Sequence, residues 1–149
     1  MSEDRGLHTE FADADDSTGL VLWRVTNAWQ SAQRQALRPF DLTHVQFVLL
    51  ASLTWLDADS PTQQQLAHHA GTDPMMTSQV VRALETKGLL TRRPHPTDGR
   101  ARRLEVTPAG RELANRAVVV VEACDRAFFA ALDADRGRFT ALLARLDAR

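Results

Sequence analysis

Apolar residues recur at helical spacing along most of the chain. Between Leu20 and Pro39 they fall three or four positions apart, which predicts an amphipathic helix that ends before the proline. A second helix is expected over 45–56, because Thr43 and Gln46 form the pattern of a capping box just before it. This segment is apolar on nearly every side, as is typical of a helix at the centre of a core.

Two short helices are expected after the loop 57–61. The first has two alternative N-caps: Ser60, with a proline at the first helical position, or Thr62, with Gln65 at the third. Gly71 closes this helix, since a glycine readily adopts the left-handed conformation found at helix ends.

The second short helix and the segment after it predict a winged helix-turn-helix. Asp73 caps this helix, which opens with a proline and ends at Gly88. Strands are expected over 89–93 and over 102–107, where outward polar residues alternate with inward apolar ones. An Asp-Gly pair within 96–100 favours a hairpin between them. A β-hairpin that directly follows two helices joined by a glycine-containing turn is a wing.

Two further helices complete the chain. Thr107 and Pro108 cap and open a long one, in which four consecutive valines favour a strand locally but are outweighed by the helical period on both sides. The last helix follows Asp133. The apolar faces comprise Leu113, Ala117, Val120, Val121, Cys124 and Phe128 on the long helix, and Phe139, Leu142, Leu143 and Leu146 on the last.

The charge distribution points to a local nucleic-acid surface. The net charge is only -1, yet residues 1–16 contain six acids and one base, a balance of -5. Residues 87–103, around the predicted hairpin, contain six bases and one acid, a balance of +5. A basic hairpin on a nearly neutral body is expected of a small DNA-reading head.

The predicted fold class is mainly α with a small β-hairpin wing: a winged helix-turn-helix flanked by N- and C-terminal dimerisation helices. Residues 1–16 are acidic and aperiodic, which predicts a mobile tail. Residues 17–149 are expected to form a single domain, with the DNA-binding lobe at about 42–107 and the dimerisation helices at about 18–38 and 108–147. These outer helices have more apolar surface than a lone winged domain can bury, so pairing with a second copy is expected.

Composition narrows the functional classes. The chain is 44% hydrophobic and 25% charged, and its single cysteine, Cys124, excludes an internal disulfide. A secretory signal and a membrane-length apolar run are both lacking, so a cytoplasmic protein without a membrane partner is expected. The sequence contains no catalytic Ser-His-Asp order, no phosphate-binding glycine loop and no metal-ligand motif. Catalytic residues, metals and cofactors are therefore not expected. Cys124 lies on an apolar face and is expected to be inert.

The helix that starts at Pro74 has two distinct faces on a helical wheel. One side gathers Thr77, Val80, Val81 and Leu84, and the other exposes Met75, Gln79, Arg82 and Thr86, with Ser78 on the flank. The start of such an exposed face enters the major groove. There Gln79 can bond adenine, Arg82 can bond guanine or a phosphate, Met75 can pack on a thymine methyl, and Ser78 can bond a base or the backbone. The alternative is a solvated face that is polar for solubility alone.

In the wing, Arg100 and Arg102 lie at or just past the turn, where arginine can reach a phosphate or enter the minor groove. Asp98 either holds Arg100 through a charge-assisted hydrogen bond or simply fills the turn.

With these segments in view, the chain resembles the MarR family of bacterial regulators over roughly residues 20–147. The resemblance rests on LTHVQFVLLASL (42–53), QQQLAHHAGTDPMMTSQVVRALETKGLLTRR (63–93) and PTDGRARRLEVTPAG (96–110). The last segment is similar to the wing pattern of that family, an Asp followed by spaced arginines and a Leu-x-x-Thr-Pro ending.

The resemblance implies a homodimer joined by the first helix and the last two. It also implies binding to a pseudo-palindromic operator in double-stranded DNA, usually with repression, and release by a small aromatic or other effector. Trp29 and His44 are the residues expected near the effector pocket, although either is also a normal core residue. The alternative function is a winged-helix module that binds protein rather than DNA, which would leave the basic hairpin unused.

Overall fold

The computed structural model describes residues 6–99 and 102–147. Within these ranges it contains helices α1 (Thr18–Leu37), α2 (His44–Leu56), α3 (Gln63–Ala70), α4 (Pro74–Thr86), α5 (Pro108–Phe128) and α6 (Arg136–Leu146), and strands β1 (Leu90–Pro94) and β2 (Arg102–Val106). Short 3-10 helices span Ala14–Asp16, Arg38–Phe40, Asp57–Asp59 and Ala130–Asp135. The predicted fold class, mainly helical with one β-hairpin, is confirmed.

Helix starts are fixed by the local side chains that the sequence indicates. Thr43 and Gln46 form the expected capping box at α2. At α3 the cap is Thr62, whose side chain and that of Gln65 bond reciprocally to backbone N–H groups, so the second of the two alternatives is the one adopted. The Asp73 carboxylate accepts from the backbone N–H of Met76 at 2.8 Å and so caps α4.

The two strands pair antiparallel, with Leu90 opposite Val106 and Pro94 opposite Arg102. The first strand therefore lies one residue further along the chain than expected. The loop before α3 adds to the second strand, because the N–H of Leu104 donates to the carbonyl of Pro61 at 2.8 Å. This bond fixes the hairpin to the helix-turn-helix beside it.

Helix α2 lies at the centre of the core, as its apolar sequence predicts. It packs against α1, α3, α4, α5 and β2. Its residues Leu49, Leu50 and Leu53 are fully buried. The core thus joins the outer helices to the helix-turn-helix through one shared element.

Gly110, in the first turn of α5, lies against the end of the helix-turn-helix. A Cβ at this position would lie 2.0 Å from the carbonyl oxygen of Leu89 and 2.9 Å from Cγ2 of Val106. The closer atom is backbone, which cannot move aside cheaply. Only glycine therefore allows α5 to approach the hairpin this closely.

We expect Gly110→Ala to lower the free energy of unfolding by about 1–3 kcal/mol through overpacking. Helix propensity alone would give the opposite sign, since alanine in a helix is favoured over glycine by about 1 kcal/mol. Gly137→Ala is the matched control, because a Cβ there would meet nothing within 4 Å and Gly137 lies opposite the apolar stripe of α6. Urea unfolding at equal protein concentration measures both, and a Gly110→Ala variant as stable as wild type would contradict the close approach.

The outer helices leave an apolar groove of about 430 Å³ between α1 and α6. Its apolar lining consists of Val21, Leu22, Val25, Phe139, Leu142, Leu143 and Leu146.

The start of α6 differs from expectation. Asp133 has a φ of 45°, so the chain turns there and the helix begins at Arg136. None of the described helices is both long enough and apolar enough to span a membrane.

Part of the acidic segment has local structure. Residues 1–5 lie outside the described residues. Further along, Asp13 caps the 3-10 helix Ala14–Asp16, and the carboxylate of Asp15 lies 2.5 Å from the guanidinium of Arg24 on α1. The mobility of residues 1–16 stays a prediction.

Candidate nucleic-acid interface

Helix α4 presents the two faces that its sequence predicts. Thr77, Val80, Val81 and Leu84 are buried against the core. Met75, Gln79, Arg82 and Thr86 are exposed, and Ser78 is half-buried on the flank. The exposed face is therefore free to meet a ligand as large as a DNA duplex.

The turn before α4 is held by hydroxyl groups. The Thr77 hydroxyl donates to the carbonyl of Asp73 at 2.8 Å and lies 2.7 Å from the hydroxyl of Thr72. Thr77 is fully buried, so these bonds satisfy a polar group that would otherwise be costly to bury. They fix the first turn of α4, where the exposed face begins.

A cleft of about 490 Å³ separates α3 and α4 from the hairpin. Ser78 lines it from α4, and Asp98 and Arg102 line it from the hairpin, so three of the predicted site residues come together here. The other lining residues are Thr62, Gln63, Gln64, Arg92 and His95. Met75, Gln79 and Arg82 are not among the residues that line the cleft. Arg100 lies outside the described residues, so its contact with Asp98 stays a prediction.

The hairpin turn has an acceptor that the sequence did not indicate. Nδ1 of His95 accepts from the backbone N–H groups of Thr97 and Asp98, at 3.1 and 3.0 Å. These two hydrogen bonds hold the backbone that leads from β1 into the hairpin turn.

Bases among residues 87–103 are paired with acids that lie outside this range. Oε1 of Glu85, in the last turns of α4, accepts from Nε and Nη2 of Arg92 on β1, at 3.2 and 3.0 Å. The hydrogen bond from Arg92 is the main reason why the pKa of Glu85 lies below its usual value. Arg93 pairs with Glu105 at 2.8 Å. The charge of +5 over residues 87–103 therefore overstates the positive charge available to DNA.

Arg82 and Ser78 are neighbours one turn apart on α4. Nη2 of Arg82 donates to Oγ of Ser78 at 3.2 Å. Both residues are predicted to contact DNA, and this bond holds the guanidinium along the helix surface. An exposed pair of this kind can exchange its mutual hydrogen bond for bonds to a base or a phosphate.

Trp29 and His44 are brought together where α1, α2 and α5 meet. Their rings pack edge to face with centroids 5.0 Å apart. Burial, followed by the charge of Arg34, lowers the pKa of His44, and the charge of Asp125 opposes this shift. The imidazole is consequently neutral at pH 7.

Two further polar residues of this cluster were not anticipated from the sequence. Oδ1 of Asp125 accepts from Nε1 of Trp29 at 2.9 Å and from Nε2 of Gln33 at 2.7 Å. Gln33 is 0% exposed, and its Oε1 has no hydrogen-bond partner among the described residues. The sequence does contain one indication of Gln33, because this polar residue follows Trp29 by one helical turn and so interrupts the apolar stripe of α1.

Cys124 and the histidines show no sign of a redox or metal centre in the described ranges. Cys124 is half-buried, and burial raises the pKa of its thiol, which disfavours the reactive thiolate. Among residues 6–99 and 102–147, no three His, Cys, Asp or Glu side chains cluster in a way that could hold a metal ion.

The helix-turn-helix formed by α3 and α4, with the exposed face of α4 and the hairpin that follows it, defines a winged helix-turn-helix protein. The model of the MarR family matches residues 42–101. A curated relative, the "uncharacterized HTH-type transcriptional regulator YdcH" of Bacillus subtilis (strain 168), is 44% identical over 83% of this chain and 86% of its own length.

Solved structures agree with this assignment. The MarR family protein Rv2887 of Mycobacterium tuberculosis, in complex with salicylic acid, is 34% identical, with a TM-score of 0.68 over 90% of this chain and 99% of its own. Its complex with DNA gives 32% identity and a TM-score of 0.67, over 87% of this chain and 97% of the other. The present chain belongs to the MarR family. It is a DNA-binding transcriptional regulator, and the alternative of a protein-binding module is not supported.

Proposed function

We propose that this chain represses transcription by binding a pseudo-palindromic operator as a homodimer, in the cytoplasm where the bacterial chromosome lies, and that it releases the operator on binding a small effector. The observation on which this rests most is the exposed face of α4 beside the cleft that Arg102 lines. The function involves no chemical reaction. The relative Rv2887 is named an HTH-type transcriptional repressor.

The proposed reading surface consists of Met75, Ser78, Gln79 and Arg82, which meet base edges and phosphates in the major groove. Arg102 and Arg100 extend the contact to a phosphate or the minor groove beside it. Asp98 orients Arg100. The exposure of Met75, Gln79 and Arg82, together with the position of Ser78 and Arg102 in one cleft, supports this surface.

Binding to a duplex of random sequence at two salt concentrations tests this function. Each phosphate that the protein neutralises contributes about -0.9 to the slope of log affinity against log salt. We therefore expect a slope of several units. An affinity that did not change with salt would contradict a DNA-binding function.

Arg92 and Glu85 are proposed to hold the hairpin at a fixed position relative to α4. Their double hydrogen bond joins the end of the reading helix to the first strand. The side chain of Arg92 is only 29% exposed, and its charge is already met by Glu85. Arg92 is thus better suited to positioning the hairpin than to binding a phosphate.

We expect Arg92→Lys, which loses one of the two hydrogen bonds, and Glu85→Gln, which removes the charge of the acceptor, each to weaken operator binding about three- to tenfold. This corresponds to roughly 1 kcal/mol, because the pair is partly exposed and solvent screens it. The two variants separate two roles, because Arg92→Lys retains the charge and Glu85→Gln removes a negative charge near DNA. If Arg92 bound a phosphate directly, the first variant would bind nearly normally and the second would bind more tightly. Fluorescence anisotropy on one operator fragment gives the affinities, and thermal melting checks that the fold is retained.

The proposed dimerisation helices are residues 18–38 and 108–147, flanking a DNA-binding lobe at 42–107. The apolar groove between α1 and α6 supports this division. Leu142, Leu143 and Leu146 on α6 are exposed in the single chain, as are Val21 and Leu22 on α1. A second copy would remove this surface from water.

The proposed effector site is the cluster of Trp29, Gln33, His44 and Asp125. The edge-to-face rings offer an aromatic surface, and Oε1 of Gln33 is a buried acceptor that an N–H or O–H group of a ligand would satisfy. An aromatic compound with such a donor therefore fits best. The cluster lies between α1 and α5 on one side and α2 on the other, so a ligand there would change how the outer helices pack on the core.

A further inference from the structure

Two neighbouring methionines stand at the start of α4. The sequence has three methionines, at positions 1, 75 and 76, and Met1 lies outside the described residues. Met75 is 72% exposed and Met76 is 43% exposed. Methionine is ordinarily a core residue, so an adjacent exposed pair needs an explanation other than packing.

Met75 lies on the same face of α4 as the residues predicted to read bases. It precedes Gln79 by four residues and Arg82 by seven, which places all three side chains within about 60° on the helical wheel. Met76 is displaced by about 100° from Met75 toward the flank. The side chain of Met75 is therefore open to solvent when the protein is free, and the proposed mode of DNA binding would place it in the major groove.

We propose that Met75 is an oxidation site through which electrophilic two-electron oxidants, of the hypochlorous acid and peroxide class, weaken operator binding. This inference rests on the proposed DNA-binding function. The thioether sulfur attacks the oxidant, gains one oxygen atom and loses two electrons. With hypochlorous acid the oxidant is reduced to chloride and a proton is released, which leaves methionine sulfoxide.

The product would be poorly placed against DNA. A sulfoxide is polar and accepts hydrogen bonds, whereas the thymine methyl group that Met75 is predicted to contact is apolar and offers no donor. Oxidation thus replaces an apolar contact with a hydrated polar group that would have to lose water to reach the same position. Cys124 is half-buried and therefore less accessible than either exposed methionine, and burial raises the pKa of its thiol.

The test uses the full chain with Cys124→Ala, so that Met75 and Met76 are the sulfur atoms left in the described part of the protein. The affinity for an operator fragment obtained by genomic selection is measured before and after limiting hypochlorite, and peptide mass spectrometry locates the added oxygen. We expect the affinity to fall about tenfold, as it would if one good base contact were removed. Treatment with the two stereospecific methionine sulfoxide reductases should restore it.

The matched variants are Met75→Leu and Met76→Leu, each compared with itself before and after the oxidant. Oxidant should leave the affinity of Met75→Leu unchanged and should still weaken binding by Met76→Leu. The reverse pattern, or an unchanged affinity in protein with sulfoxide at position 75, would overturn the inference. Failure of the untreated protein to bind any selected fragment would instead contradict the proposed function.

Discussion

A chain that ends at Ala134 is expected to be monomeric and to lose tight operator binding. This truncation removes α6 and with it one wall of the groove formed by Leu142, Leu143 and Leu146. Two reading helices engage both half-sites only when they are held about one DNA turn, or a multiple of it, apart. Joining two binding modules raises affinity by on the order of 10²- to 10⁴-fold, so a loss of that size is expected.

Sedimentation velocity measures the oligomeric state, and anisotropy measures the affinity. A chain that ends at Leu146 retains all of α6 and is the matched length control. Leu143→Glu tests the same surface without shortening the chain, because it places a charge within the apolar groove. A truncated protein that still sediments as a dimer would contradict the assignment of α6 to the interface.

Replacing Gln79 or Arg82 by alanine is expected to weaken operator binding by about 1–3 kcal/mol, because each substitution removes a side chain able to bond a base bidentately. Both residues are exposed, so the free energy of unfolding should hardly change. The two positions are three residues apart on one face, and their effects need not add. Competition between operator and random DNA separates weaker sequence reading from weaker general affinity.

Thr86→Ala is the control for this series, because Thr86 is exposed on the same face but at the far end of α4 from the first turn. It should bind nearly as wild type does. Arg82→Lys retains the charge and removes the planar, two-pronged donor, so it distinguishes guanine reading from simple attraction to a phosphate. Unaltered operator preference in both alanine variants would show that this face does not read sequence.

The features that could be predicted from the sequence are those set by neighbouring residues. The capping box of Thr43 and Gln46 and the cap of Asp73 are bonds between residues three apart. The buried side of α4 follows from helical periodicity, since Val80, Val81 and Leu84 share one face. Local chemistry decides such features before the chain folds.

The features that could not be predicted depend on residues distant in sequence. Trp29 and Gln33 meet Asp125, which lies more than ninety positions away. Nothing in the sequence around Gly110 indicates that the backbone carbonyl of Leu89 packs against this residue. The charge of +5 over residues 87–103 overstates the charge available to DNA for the same reason. A sum over a stretch of sequence does not show which acids outside that stretch pair with its bases in the folded protein.

Selection of genomic fragments bound by the wild-type protein tests most directly whether two copies of α4 read one operator. Footprinting of the recovered fragments should reveal a shared pseudo-palindrome whose half-sites are centred roughly 10 base pairs, or a multiple of that, apart. One dimer should protect both half-sites. Fragments with no common sequence, or a single protected half-site bound by one chain, would contradict a dimeric operator-binding regulator.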